Sequence, residues 1–163
     1  ADDFDQTVLA DALPAGTYTL VAGLCDFPQL DLESCPEMVK VPLVIPPAGE
    51  MRLVGGRFRV TLTFDRPGSA TQAAAATQLG ENAGDFTFFD PSNVEVTVKV
   101  LNGLLVNDRF WVFAASMTNL GFTLTVEDLA HCTGDVGGPC ATRTYRQAPN
   151  TNHNFLDTEA FTN

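Results

Sequence analysis

Between residues 86 and 128 the chain reads FTFFDPSNVEVTVKVLNGLLVNDRFWVFAASMTNLGFTLTVED, and its apolar residues recur with a period of two. Val94, Val96, Val98 and Val100 alternate with Glu95, Thr97 and Lys99. Successive side chains of a strand point to opposite faces, so this spacing predicts one row on a core and one in water. Residues 110–115 are apolar at both parities, which predicts a strand buried on both faces. The alternation then returns, with Phe122, Leu124 and Val126 facing in and Thr123, Thr125 and Glu127 facing out. The connectors 101–108 and 116–121 carry Asn, Gly and Asp, residues that tolerate turn geometry. Three adjacent antiparallel strands are expected.

The rest of the chain follows the same grammar. Phe58, Val60, Leu62 and Phe64 alternate with Arg57, Arg59, Thr61 and Thr63. Residues 17–24 form a strand with Tyr18, Leu20, Ala22 and Leu24 on one face. Residues 38–45 are rich in Val and Ile but contain Pro42, which removes a ladder donor and assigns the strand to an edge or a bulge. Pro46-Pro47-Ala48-Gly49 then breaks the chain. It separates an N-terminal arm with edge strands, 1–50, from a main module, 51–163. Residues 65–85 hold the alanine run Ala73 to Ala76, bracketed by Gly68, Gly80 and Gly84. This window reads as a solvent-facing loop with one helical turn. Residues 129–141 form a glycine-rich hairpin tip, and 142–146 and 155–161 the closing strands. With no long helix and about nine short strands, the chain is expected to be all-β: an antiparallel β-sandwich with an N-terminal arm.

Charge and cysteines narrow the functional classes. The formal net charge is −11, which disfavours nucleic acid or an anionic membrane as partner. Such a surface keeps copies solvated and apart. Asp2, Asp3 and Asp5 are the cluster a calcium ion would use, but no D-x-D-x-D-G loop with a following Glu accompanies them. No cofactor is expected. The four cysteines fall as Cys25 with Cys35 and Cys132 with Cys140, neither pair in C-x-x-C spacing. Adjacent His131 and Cys132 cannot readily share a tetrahedral zinc site, so two loop-closing disulfides are expected. Disulfides imply an oxidising compartment, and the start Ala1-Asp2-Asp3 reads as the product of signal cleavage. A secreted or cell-surface location follows. No apolar stretch approaches the ~20 residues of a membrane-spanning helix.

No nucleophile or phosphate-binding motif is found in the sequence, and a carboxylate pair for glycoside chemistry is a spatial feature that sequence does not show. Ser34, Ser69, Ser92 and Ser116 lie in no G-x-S-x-G elbow. His131 beside an expected disulfide and His153 in a polar loop read as surface histidines. Glu95 and Glu127 fall on the outward parity of strands, where solvated carboxylates are the default. Trp111, the single tryptophan, sits between Phe110 and Val112 and reads as core packing or a protein contact. The expectation is a protein that is not an enzyme.

Four blocks in order, GGRFRVTLTF, FTFFDPSNVEVTVKVLNG, NDRFWVFAASMTNLGFTLTVED and the closing TY…DTEAF, resemble a module that recurs in secreted bacterial proteins, often as their C-terminal part, without an assigned activity. The resemblance implies a secreted all-β module and supplies no catalytic residues. Two features depart from it: the insertion between His131 and Cys140, and the segment before about residue 51, which lies outside the module.

Two functional expectations result. Thr7, Val8, Leu9 and Leu13 belong to a β-competent run with little local partner sequence. Such a run can complete the sheet of a neighbouring copy and build a filament, or fold back on its own sheet. The first outcome makes the protein a self-associating structural subunit. The alternative is a carbohydrate- or protein-binding module acting through loops such as 65–85.

Overall fold

The period-two stretches are strands. The computed structural model describes residues 16–23, 38–45, 49–66, 68–133 and 138–163. The chain forms two compact units, Ala1–Pro47 and Ala48–Asn163. In the first, β1 (Gly16–Gly23) pairs antiparallel with β2 (Met38–Ile45) as a two-stranded sheet, Thr19 opposite Pro42. Both strands of such a sheet are edges, which accommodates the missing proline N–H.

The second unit is an antiparallel β-sandwich of two five-stranded sheets. The first sheet contains β3 (Glu50–Leu53), β4 (Phe58–Phe64), β5 (Gln72–Ala73), β10 (Phe122–Cys132) and β11 (Cys140–Gln147). Its order is β11-β10-β4-β3, with β5 also on β4. The second sheet runs β12-β9-β8-β7-β6, from β6 (Ala75–Gln78), β7 (Ala83–Thr87), β8 (Val94–Asn102), β9 (Arg109–Ser116) and β12 (Phe155–Thr162). A helical turn, α1 (Leu104–Asn107), joins β8 to β9.

The core lies where the inward rows of the two sheets meet. From the first sheet come Phe58, Val60, Leu62 and Phe64 of β4 and Phe122, Leu124 and Val126 of β10, in register as Phe64–Phe122, Leu62–Leu124 and Val60–Val126. From the second come Val96, Val98 and Val100 of β8 and Phe110, Val112 and Ala114 of β9. Phe58 bridges the layers, its ring 5.0 Å from Phe110 and 5.2 Å from Phe161. Fully burying one such side chain stabilises the fold by about 1.5–3 kcal/mol.

Three expectations are corrected. The third strand of the central stretch, β10, does not lie beside β9. It crosses to the other sheet and pairs with β4 and β11, because its apolar row completes the β4 face. Residues 110–115 are not buried on both faces. Phe110, Val112 and Ala114 are buried, whereas Trp111, Phe113 and Ala115 form the outer row, partly or fully exposed. The 65–85 window is neither loop nor helical turn throughout. It holds β5, β6 and the start of β7, with Ala74 buried and its N–H donating to the Leu62 carbonyl (2.9 Å). So short a window between glycines cannot nucleate a helix alone, and a sheet edge supplies ready partners. The described residues hold twelve strands, against about nine expected for the chain, and ten of the twelve make the sandwich.

Candidate functional site

Among the described residues a conspicuous polar centre begins with a break in the strand pattern. Phe122, Leu124 and Val126 are the first inward positions of β10, and the fourth is Asp128, which is 0% exposed. A buried carboxylate must be paired and hydrogen-bonded, and Asp128 is both. Arg57 Nε donates to its Oδ1 (2.9 Å) and Nη2 to its Oδ2 (2.7 Å), a two-pronged ion pair. His131 Nδ1 lies 2.9 Å from Oδ2, and the Ala130 N–H donates to Oδ1 (3.1 Å).

Local structure places each partner. The β3–β4 turn runs through Val54, Gly55 and Gly56 at φ of 55°, 63° and 87° and delivers Arg57 just before β4. A left-handed conformation is unfavourable for a β-branched residue such as Val54. It is held by the Val54 N–H donating to Glu81 O and the Arg57 N–H donating to Val54 O. Between Asp128 and Cys132 the β10–β11 register shifts, and this irregularity returns His131 to the carboxylate. The Arg57 guanidinium also covers the Phe110 ring at 4.2 Å and donates to Thr162 O (3.2 Å) and Asn163 Oδ1 (3.1 Å).

Burial opposes ionisation of Asp128, but the hydrogen bonds from Arg57, His131 and Ala130 more than offset it and hold the carboxyl below its ordinary range. The centre opens into a cleft of about 330 Å³ between β11 and β12. Arg109, Arg143 and Glu159 line it beside Asp128 and His131. Above the cleft, Tyr145 Oη donates to Asp157 Oδ2 (2.8 Å) and ties the two edges together.

A second feature is the outer face of the β12-β9-β8 sheet. Leu101 faces Trp111, and Lys99, Phe113 and Leu156 form a row across three strands. Leu156 is 78% exposed, and Leu105 and Val106 of α1 are also exposed. Trp111 lies over Gly103, where a Cβ would overlap the indole, and its Nε1–H donates to Asn107 Oδ1 (2.8 Å). Core packing, one of the two roles expected of Trp111, is therefore replaced by a place on the outer face.

The other sequence candidates are dispersed. Cys132 and Cys140 form the expected disulfide. Thr7, Val8, Leu9, Leu13, Cys25, Ser34 and Cys35 lie outside the described residues. His131 is not a plain surface side chain but the outer member of the Asp128 centre, and His153 packs its ring 5.0 Å from Phe155. Glu127 pairs across strands with Arg59, two bonds at 2.7 Å, which hold its carboxyl below the usual range. Glu95, expected in solvent, is 8% exposed and accepts from Asn93 Nδ2 (2.6 Å). A register shift between Phe86 and Thr87 accompanies this departure from the outward row. Ser92 bonds Asp90, and Ser116 bonds the Thr118 carbonyl.

Among the described residues, no serine, threonine or cysteine side chain hydrogen-bonds either histidine ring, and no group of three or more His, Cys, Asp or Glu is placed to hold a metal ion. No described helix is long and apolar enough to cross a membrane. The Asp128 centre was absent from the sequence reading, although carrying the Phe122-Leu124-Val126 parity one step further marks Asp128 as inward. No family model, curated protein or solved structure matches the chain.

Proposed function

We propose that this protein is a non-catalytic extracellular structural subunit that self-associates by strand complementation. The segment containing Thr7, Val8, Leu9 and Leu13 of one copy pairs with a sheet edge of the next. The observation that carries this reading is the character of β11. It is a terminal strand of its sheet, eight residues long, and holds an unbroken register with β10 from Gln147 to Ala141. Proteins protect edges by shortness, irregularity or charged side chains, and over this run β11 has only the last, in Arg143 and Arg146. Within the sandwich the other edges are short or irregular: β3 and β6 are four residues, β5 is two, and β12 has a register shift between Asp157 and Phe161. A long regular edge is the surface an added strand needs, main-chain bonds giving affinity and alternate side chains specificity. Head-to-tail repetition of such a contact builds an open filament. The disulfide and the module resemblance support an extracellular location.

Light scattering and electron microscopy of the purified full chain test this. Oligomers or filaments are expected, and removing residues 1–13 should leave monomers. A protein that stays monomeric at high concentration, with the deletion changing nothing, would sink the reading.

The outward Trp111, Phe113 and Leu156 favour a second reading, a carbohydrate- or protein-binding module using that face rather than the 65–85 loop. Partly exposed aromatic rings beside an exposed leucine are surface of the kind that binding sites use. Saturable glycan binding that quenches Trp111 fluorescence, in a protein that remains monomeric, would select this alternative.

A further inference from the structure

We infer that the cleft between β11 and β12 is a carboxylate-binding site, occupied in the assembly by Asp2, Asp3 and Asp5 of a second copy. The identity of the occupant rests on the assembly reading above; the chemistry of the site rests on its lining.

Charge is distributed unevenly in this chain. It has nine Lys and Arg against twenty Asp and Glu, yet Arg57, Arg109 and Arg143 converge on one locus. Arg57 is consumed by Asp128, whose charge it cancels inside the protein. Arg109 and Arg143 are not consumed. Among the described residues neither has a carboxylate partner: Arg109 donates to the Asp108 carbonyl, and Arg143 lies over the Phe161 ring at 5.6 Å. Among the described residues Glu159 is the single lining acid without a cationic partner, which leaves two free guanidiniums against one carboxylate in the cleft. Guanidinium presents paired donors matched to a carboxylate.

The size and the surrounding field decide which anion enters. A cleft of about 330 Å³ holds a few side chains, not a polyanion, and the net charge of −11 repels nucleic acid at a distance. An acidic peptide brings separated carboxylates instead. The run ADDFDQTVLADAL carries Asp2, Asp3, Asp5 and Asp11 and no basic residue, complementary in charge to the site. The cleft adjoins the open strand at Ala141 and Arg143. One segment can therefore place its acids in the cleft and its Thr7, Val8 and Leu9 on β11.

A complementation experiment with full chains tests this. One variant carries Arg109→Gln and Arg143→Gln, the other Asp2→Asn, Asp3→Asn and Asp5→Asn. Each alone should need a higher concentration to assemble, by about tenfold for each arginine removed, while a mixture should recover dimers that grow no further. A variant with Arg66→Gln and Lys99→Gln makes the same change of net charge elsewhere and should assemble normally. Trp111 fluorescence checks that each variant is folded. If the arginine variant assembles like the unmodified chain, the carboxylate site is wrong and strand complementation stands. If the unmodified chain never assembles, the assembly reading and the assigned occupant fall together. Binding of oligogalacturonate to the cleft, abolished by the arginine changes and not competed by a peptide of residues 1–13, would also overturn the peptide assignment.

Discussion

Replacing Asp128 by Asn probes the polar centre with least change of shape. Asn keeps one acceptor oxygen, for Arg57 Nε and the Ala130 N–H, but turns Oδ2 into an amide donor facing Arg57 Nη2 and His131 Nδ1. The bond from Arg57 Nη2 is lost, the His131 bond survives only with Nδ1 as acceptor, and a part-buried guanidinium loses its counter-charge. Removing one member of a buried pair costs about 3–5 kcal/mol. Arg57 keeps 19% side-chain exposure, the Thr162 carbonyl, Asn163 Oδ1 and the face of Phe110, so the lower end, about 3 kcal/mol, is expected. Urea unfolding followed by Trp111 fluorescence reads the loss, since the only tryptophan lies in the sandwich.

The pH dependence is a further check on the same residue. Asp128 has a folded pKa below its unfolded value of about 3.9. Its stabilisation is therefore complete above the unfolded value and lost as pH falls through the folded one. The difference between the unmodified chain and D128N should be constant near neutrality and shrink on acidification. Combining D128N with Arg57→Ala should cost little more than the worse single change, because both remove one interaction. A D128N loss under about 1 kcal/mol, or a difference that does not change with acid, would refute an Asp128–Arg57 pair that holds the sandwich end together.

Three further outcomes are expected. Gly103→Ala should drive the indole of Trp111 off its seat, lowering stability by about 1–3 kcal/mol and red-shifting emission; unchanged emission would contradict the packing. Replacing Cys132 and Cys140 together by Ser should cost about 2.5 kcal/mol by chain entropy for a sequence separation of 8, measured by denaturation with and without reductant. Burial and the bond to Asp157 push the Tyr145 phenol well above its ordinary value of about 10. Its contribution is therefore present below that value and lost as pH rises through the folded one. An ultraviolet titration should find one of the two tyrosines ionising late, and Tyr145→Phe should remove that phase at a cost of about 1 kcal/mol.

Much of the sandwich is legible in the sequence because burial on one face forces a period of two. The inward rows of β4 and β10 and, from Val96 to Val100, of β8 follow from that alone. Pairing is less legible, since period two says which face is apolar and not which sheet a strand joins. Nothing local in residues 116–121 distinguishes a hairpin from a crossing, so β10 could be placed only by matching its row to β4. The alanine run misleads for a different reason. Alanine favours helix where nothing else competes, and at a sheet edge the unpaired β4 backbone competes. Trp111 misleads because apolar residues at both parities signal burial on both sides only when something covers the second face. The Asp128 centre is half legible: parity marks the buried acid, but Arg57, 71 residues away in sequence, is brought to it by the register of β4 against β10.

The two long sides of the sandwich differ, and that difference bears on the form any assembly takes. On one side the sheets are joined where the Val54 N–H meets the Glu81 carbonyl, and the edges there are short. On the other, Tyr145 and Asp157 tie β11 to β12 at one point, and below it the sheets part around the cleft. Arg143 and Arg146 stand on the exposed strand β11, which has no acidic residue. Cationic side chains on an edge oppose pairing with an identical edge, because a two-fold β11–β11 contact sets arginine against arginine. The same charges favour an acidic strand. Closure into a symmetric side-by-side dimer is thereby penalised, and a contact between unlike surfaces is favoured. Contacts between unlike surfaces form rings or open chains according to the rotation between successive copies.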